Sequence, residues 1–182
     1  MKKYEFTEET IMRYGRTLHR IRACKDFTLT SGYEVKAGDL GGFIEKEKNL
    51  AHDGNAWVSD NAWVSDNARV SDNAWVSGNA WVSGNAWVSG NAWVGGNARV
   101  SDNAWVGNLK HIVVIGPIGS RCDYTTFFRN KDGGINVECG CFNGNIEEFS
   151  KKVSETHKGN IHEQVYKLSA EIAKLQILRD DE

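Results

Sequence analysis

The chain has 182 residues, a formal net charge of −2 and a pI near 6.2. This length suits one repeat body with two modest flanking regions, and the near-neutral charge argues against general nucleic-acid binding, which needs a basic surface. No run approaches about 18 apolar residues, so we expect no membrane span. The first residues lack the apolar core of a signal peptide, and four cysteines in such a chain are more typical of free thiols than of disulfides. We therefore expect a cytoplasmic protein.

Residues 1–54 are predicted to form a β-rich N-terminal cap. Short runs at 4–7, 10–14 and 17–23 are typical of strands, with a turn at Gly15-Arg16. The segment 38–45 then leads into the repeat, as an irregular coil of its own. A cap is needed because the open end of a β-helix is a sheet edge that attracts other chains.

The predicted hairpin of the cap is rich in basic residues, namely Arg13, Arg16, His19, Arg20, Arg22 and Lys25. Such a cluster can hold a phosphate group, and we take Arg20 and Arg22 as candidate ligand-binding residues. The alternative is that the cluster is only the solvated face of a hairpin.

Residues 55–108 are nine uninterrupted copies of one hexapeptide, Asn-Ala-(Trp/Arg)-Val-(Ser/Gly)-(Asp/Gly/Asn). Strand alternation puts Ala and Val on one side and Trp and Ser on the other, and the residue pair after Ser tolerates the positive φ of a sharp corner. Three short edges and three corners close a triangle, which predicts three coils of 18 residues. The pattern resembles the hexapeptide repeat of left-handed parallel β-helices, which implies a mainly β protein with inward-facing Val.

All seven tryptophans of the chain lie on the outward side of the repeat. Spacing by 18 residues stacks them in three ladders, which contain Trp57, Trp75 and Trp93, then Trp63 and Trp81, then Trp87 and Trp105. Each Trp can bury ~150–250 Å², and soluble monomers seldom expose so large an apolar surface. We therefore predict a homotrimer with parallel prism axes and these tryptophans at its interface. The alternatives are that the chain's own flanking segments cover the ladders, or that they form a ligand surface.

Residues 109–182 are predicted to form a small α+β domain. The expected elements are a strand at 109–115, a loop at 116–121, a hairpin of 124–130 and 135–141, and helices at 145–157 and 161–178. Pairing outward from the turn at 131–134 places Phe128 opposite Val137 and Thr126 opposite Cys139. Asn145 is the expected cap of the first helix. The second helix carries a heptad-like seam, which packs on the domain's own sheet or meets symmetry mates in a trimer: Val165, Leu168, Ile172 and Leu175.

The loop at 116–121 is the second candidate anion site. Gly119, Ser120 and Arg121 offer exposed backbone N–H groups and a guanidinium, which together suit an anionic ligand. No helix begins at the end of the loop, so it lacks the dipole of a P-loop. The alternative is that Arg121 only pairs with a carboxylate such as Glu138.

The cysteines do not predict a metal site. Cys122, Cys139, Cys141 and His157 are ligand types that zinc uses, but their spacing is not C-x₂-C. Alternation along the strand puts Cys139 and Cys141 on the core face, where buried structural thiols are expected. We predict neither a metal nor a cofactor.

Hexapeptide-repeat acyltransferases have a similar prism and use a His base with a coenzyme A site between subunits. The repeats here contain no His, and only His52 lies close to the first repeat. We therefore expect no enzymatic activity, and acyl transfer remains an alternative.

Short motifs along the whole chain resemble a family of phage and prophage proteins, often labelled as hexapeptide-repeat proteins or transferases. They are Lys-Asp-Phe at 25–27, Gly-Asp-Leu-Gly-Gly-Phe-Ile-Glu at 38–45, Glu-Lys-Asn-Leu at 47–50, Ile-Gly-Pro-Ile-Gly-Ser-Arg at 115–121, Thr-Thr-Phe-Phe at 125–128, Cys-Gly-Cys-Phe at 139–142 and Glu-Thr-His at 155–157. The resemblance implies a phage accessory protein, and such proteins commonly counter host immunity. We predict a trimer that sequesters an anionic, nucleotide-like signal. The alternative within this class is direct binding of a host defence protein.

Overall fold

A computed structural model describes residues 2–178, and the chain divides into two compact units, residues 1–109 and residues 110–182. The first unit begins with β1 (Tyr4–Arg13), β2 (Arg16–Ala23), β3 (Phe27–Thr28), β4 (Glu34–Val35) and β5 (Leu40–Ile44), followed by a short 3₁₀ helix (Glu47–Asn49). The repeat then supplies β6 (Trp57–Val58), β7 (Trp63–Val64), β8 (Arg69–Val70), β9 (Trp75–Val76), β10 (Trp81–Val82), β11 (Trp87–Val88), β12 (Trp93–Val94), β13 (Arg99–Val100) and β14 (Trp105–Val106).

The repeat forms a β-solenoid in which each short strand pairs, in parallel, with the strand 18 residues later. Val64, Val82 and Val100 stack in register on one face, and the Val and Ala side chains of all the repeats are buried inside. The corners take the left-handed backbone conformation, as Asp60 does at φ 57° and Gly78 at φ 68°. The hexapeptide therefore folds as its alternation predicts, because the apolar pair points inward and the corner residues accept positive φ.

The solenoid begins before the repeat. Over residues 40–106 it makes about four turns, because β5 pairs in parallel with β7 and Leu50 bridges Val70. The Asn49 side chain is buried there and donates to the carbonyl oxygens of Asp66 and Ala68. One irregular turn of the solenoid, whose sequence does not follow the hexapeptide pattern, thus precedes the nine repeats.

The N-terminal hairpin extends one face of the solenoid. β1 pairs antiparallel with β2, and β2 with β5, so the sheet order is β1-β2-β5-β7-β10-β13. The two strands expected at 4–7 and 10–14 form one strand with an irregularity between Phe6 and Thr10. The turn falls on Tyr14 and Gly15, which both have positive φ, and not on Gly15-Arg16 as expected.

A buried lysine lies near the start of the first unit. The Lys3 side chain is inaccessible to solvent, with its Nζ atom 3.5 Å from the Asp53 carbonyl oxygen and 5.9 Å from the centre of the Phe27 ring. Burial, with a smaller contribution from the charge of Lys25, lowers the pKa of Lys3 to about 8, from an ordinary value of 10.5. The folded state therefore disfavours the charged ammonium group.

This lysine predicts a pH dependence of stability. Between pH 8 and 10.5 the unfolded state binds more protons at Lys3 than the folded state, so stability rises with pH. We expect the free energy of unfolding to increase by about 2 kcal/mol between pH 7 and pH 9.5 because of this group. Urea denaturation at the two pH values measures the increase. Lys3→Met should be more stable than the parent at pH 7 and should lose this increment, and an equal pH response of both proteins would contradict the prediction.

The second unit is an antiparallel sheet with two helices. Its elements are a 3₁₀ turn (Leu109–His111, which starts at the last residue of the first unit), β15 (Ile112–Ile118), β16 (Asp123–Arg129), β17 (Ile135–Cys139), β18 (Phe142–Asn145), α1 (Ile146–Thr156) and α2 (Ile161–Ile177). Over residues 112–145 the strands follow each other in the order β15-β16-β17-β18. The helices cover one face of the sheet around Phe127, Val137 and Phe149.

Three details of this unit differ from the sequence prediction. β15 continues to Ile118, so the loop is shorter than the expected 116–121. Phe127, not Phe128, lies opposite Val137, and Thr125 lies opposite Cys139. The register differs by one residue from the predicted one because Asn130 belongs to the turn. Its N–H donates to the Gly134 carbonyl, and its side-chain oxygen accepts from the Gly134 N–H.

The two helices begin where the sequence predicts. The Asn145 side chain accepts from the Glu148 N–H at 2.8 Å, and the Glu148 carboxylate accepts from the Asn145 N–H. These two hydrogen bonds form a capping box. Asn160 caps α2 in a similar way, by accepting from the N–H groups of His162 and Glu163. No helix within residues 2–178 is long and apolar enough to cross a membrane.

Candidate ligand site

A cavity of about 350 Å³ opens in the second unit between the β15–β16 loop, the β17–β18 turn and the two helices. Its lining, all from this unit, is Ser120, Arg121, Asp123, Cys139, Gly140, Cys141, Phe142, Phe149, Lys152, Val153, Thr156, His157 and Tyr166. A cavity of this size is at the lower end of the range of small-molecule sites. We therefore take it as the candidate site.

The floor of the cavity is apolar and continuous with the core. Phe149 lies edge-on to Tyr166, with ring centres 5.7 Å apart, and tilted against Phe142 at 5.4 Å. Phe149, Val153 and Tyr166 are buried in the core cluster of the sheet. The floor is therefore held in place by packing before any ligand arrives.

The rim of the cavity is mainly basic. Arg121 comes from the β15–β16 loop, and α1 contributes Lys152 with His157 at its C-terminal cap. The His157 ring lies 5.6 Å from the Tyr166 ring. Asp123 is the acidic residue of the lining, so the rim carries two permanent positive charges and an imidazole against one carboxylate.

Tyr166 connects the loop to the floor. Burial raises the pKa of Tyr166 to about 12, and a hydrogen bond with Cys139 acts in the same direction. Its hydroxyl lies so close to Gly119 that any side chain there would collide with it, and Gly119 has a φ of 73°. The phenol is thus a hydrogen-bond donor throughout the physiological pH range.

The two cysteines of the β17–β18 hairpin do not lie on one strand face, contrary to the prediction from alternation. β17 ends at Cys139, and Gly140 and Cys141 form the turn into β18, a strand that the sequence did not predict. Cys139 is half-buried and accepts a bond from the Thr125 hydroxyl at 3.2 Å, whereas Cys141 is exposed. Among residues 2–178 no group of three metal-binding side chains is assembled.

The structure separates the two predicted anion sites. Ser120 and Arg121 line the cavity, and Gly119 lies directly behind it against Tyr166. Arg20 and Arg22 lie on β2 of the first unit and do not belong to the lining. Their guanidinium groups pair with Glu9 at 3.4 Å and with Glu5 at 2.6 Å, so carboxylates already balance these charges.

Sequence reasoning missed the contribution of the helices to the rim. Lys152 and Thr156 lie one turn apart on α1, where residues at i and i+4 share a side of the helix, and His157 is the cap that follows. This spacing of polar residues, next to the apolar Phe149 and Val153, is the sequence pattern that could have predicted the helix residues of the rim. Tyr166 could not be identified in this way, because its role depends on the loop that packs against it.

The tryptophans differ in how much of each the chain itself covers. Trp57 is 1% exposed and Trp63 is 8% exposed. Trp75 and Trp81 are half-buried, stacked against Tyr33 and Tyr14, respectively. The remaining members, Trp87, Trp93 and Trp105, are 41–50% exposed. The cap thus covers the first part of the ladders, and the most exposed tryptophans lie in the last part.

Comparison with known proteins identifies the repeat alone. Residues 62–78, 68–83, 80–96 and 92–108 match the model of the YdcK beta solenoid repeat. The matched residues amount to about a quarter of the chain and lie within the repeat. No match is found among curated proteins. The match agrees with the observed β-solenoid and does not extend to the cavity of the second unit.

Proposed function

We propose that the protein is a non-enzymatic binding protein whose second unit holds a small anionic molecule of nucleotide-like chemistry. The observation that carries the proposal is the cavity itself, which is lined by the cations Arg121 and Lys152 and by a buried aromatic floor. A permanent guanidinium binds phosphate or carboxylate groups in a bidentate manner, and an ammonium group adds a point charge. The aromatic floor suits the apolar body of the same ligand.

The size of the cavity limits the ligand. About 350 Å³ suits one molecule of mononucleotide size. The hydroxyls of Ser120, Thr156 and Tyr166 add neutral donors beside the cations. A ligand of this class combines one or two anionic groups with a flat or apolar body.

The proposed biological setting follows from the motifs described above. We propose a phage accessory protein in the host cytoplasm that sequesters a nucleotide-like immune signal, built on a left-handed hexapeptide-repeat solenoid of the kind often labelled transferase. A homotrimer would use the exposed Trp87 and Trp105 on one face of the solenoid. Direct binding of a host defence protein is the alternative if no small anion binds.

Calorimetric titration of the whole protein with AMP, ADP, cyclic AMP, cyclic di-AMP and inorganic phosphate tests the proposal. We expect saturable binding of at least one nucleotide. Arg121→Ala should weaken it by about tenfold or more, because a hydrogen bond to a charged group contributes ~1.5–3 kcal/mol. The melting temperature should stay close to that of the parent, because Arg121 is exposed.

Arg22→Ala is the matched control, because this exposed arginine of the first unit is bound to Glu5 and lies outside the cavity. Its affinity should equal that of the parent. Equal affinity of Arg121→Ala and the parent would refute the assignment of the cavity. Absence of binding by the parent to every probe would overturn the small-molecule proposal and leave the host protein as ligand.

A further inference from the structure

The second helix of the second unit exposes an unusually apolar stripe, which we name the α2 seam: Ile161, Val165, Leu168, Ile172 and Leu175. Successive members are alternately four and three residues apart, which is the spacing of the contact positions in helix pairs. Leu168 is 65% exposed and Leu175 is 72% exposed. The seam is therefore not the surface with which α2 packs on its own sheet.

A different set of residues anchors α2 to the domain. Tyr166, Ala170, Ala173 and Ile177 are buried in the core cluster of the sheet and the helices. These residues alternate along the helix with the members of the α2 seam. One side of α2 thus packs in the core of the second unit, and the α2 seam lies on another side of the helix, largely exposed.

The seam continues onto the neighbouring strand. An open groove of about 580 Å³ lies between α2 and β15, lined by Ile112, Val113, Ile172, Leu175 and Gln176. β15 is the first strand of its sheet, paired on one side with β16. The groove offers a partner helix a place to insert apolar side chains beside Ile172 and Leu175, as knobs enter holes between paired helices.

The flanks of the seam are almost without charge. The flanking positions are Gln164 and Glu171 on one side and His162, Ser169 and Gln176 on the other. The lysines of α2 lie farther from the seam around the helix, and Lys167 pairs with Glu163 and Lys174 with Glu171. Interface centres typically lack charged residues, and the one carboxylate of these flanks, Glu171, is already paired with Lys174.

We infer that the α2 seam is a twofold contact between two copies of this chain. An apolar seam repeated on each copy is complementary to itself, because its contact positions carry no charge and its flanks bring no lysine or arginine of one copy against those of the other. β-branched Val165 and Ile172 at one contact position, with Leu168 and Leu175 at the other, favour two helices over three. The contact is independent of the ligand cavity and of the tryptophans.

Light scattering after size-exclusion chromatography tests this contact on the whole protein. The parent should have a mass that is an even multiple of 20.3 kDa, which is six protomers if the proposed solenoid trimer also forms. The double variant Leu168→Glu/Leu175→Glu should have half the mass of the parent, because carboxylates would be buried against each other in the pair. Its far-UV circular dichroism should match that of the parent, since both side chains are exposed.

Two controls separate the α2 seam from other apolar surfaces. Met12→Glu/Leu40→Glu changes two exposed apolar side chains of the first unit in the same way and should leave the mass unchanged. Trp87→Arg/Trp105→Arg tests the solenoid face and should leave the twofold contact intact. A monomeric parent, an odd multiple of the protomer mass, or an unchanged mass of the α2 variant would each overturn the inference.

Discussion

Trp57→Ala is expected to lower the free energy of unfolding of the first unit by about 3–5 kcal/mol. Trp57 is 1% exposed and lies edge-on to Phe27, with ring centres 5.4 Å apart. A side chain at Gly41 would clash with it, so the backbone of β5 closes over the indole at short range. Removal of the ring leaves a cavity that cannot collapse without moving both the cap and the first turn of the solenoid.

Trp87→Ala is the matched control for this prediction. It changes the same residue type at the same position of a repeat, but Trp87 is 50% exposed. We expect a loss of less than about 1.5 kcal/mol, because half of the ring is already in water. Urea denaturation followed by the β-sheet signal in far-UV circular dichroism measures both variants without relying on tryptophan fluorescence. Equal losses would contradict the conclusion that the cap, and not a second subunit, covers the first part of the ladders.

The solenoid could be predicted because its repeat is locally complete. Each hexapeptide contains its inward pair, its outward residue and its corner, so periodicity alone fixes the position of Val82 between Val64 and Val100. The coverage of the tryptophans could not be obtained in this way. Trp57 and Trp87 occupy equivalent positions in the repeat, and they differ because Phe27 of β3 and Gly41 of β5 cover Trp57.

The cavity was only partly predictable, because it depends on long-range packing. The sequence singled out Gly119, Ser120 and Arg121 through local composition, and two of these residues line the cavity. The helix residues of the rim become neighbours of the loop only when α1 and α2 pack on the sheet. The predicted strand to residue 141 was also too long: β17 ends at Cys139 and Cys141 lies in the turn before β18, so strand alternation does not apply to it.

The heptad spacing of α2 was visible in the sequence, but its meaning depends on the structure. A stripe of Leu168, Ile172 and Leu175 suits a helix that packs on its own sheet as well as one that meets another molecule. Alanines and Tyr166 occupy the core-facing side. Small residues allow close approach of α2 to the sheet, and this leaves the larger aliphatic side chains outside.

Phe149→Ala is expected to destabilise the second unit by about 3–5 kcal/mol and to abolish ligand binding in the cavity. Phe149 is buried between Phe127, Phe142 and Tyr166, and its ring is edge-on to Phe127 with centres 5.7 Å apart. Small domains are stable by only about 5–15 kcal/mol. The variant therefore brings this unit close to its unfolding threshold.

The effect should be confined to one unit, because Phe149 belongs to the core cluster of the second unit alone. The α-helices of residues 2–178 both lie in that unit, so ellipticity at about 222 nm reports its unfolding. We expect the helical transition to move to lower urea concentration, while the change in tryptophan fluorescence, which arises from the solenoid, keeps its midpoint. Phe6→Ala, which removes a 41% exposed ring of the first unit, should leave the helical transition unchanged. Retained nucleotide affinity of a folded Phe149→Ala variant would show that the aromatic floor does not contribute to the site.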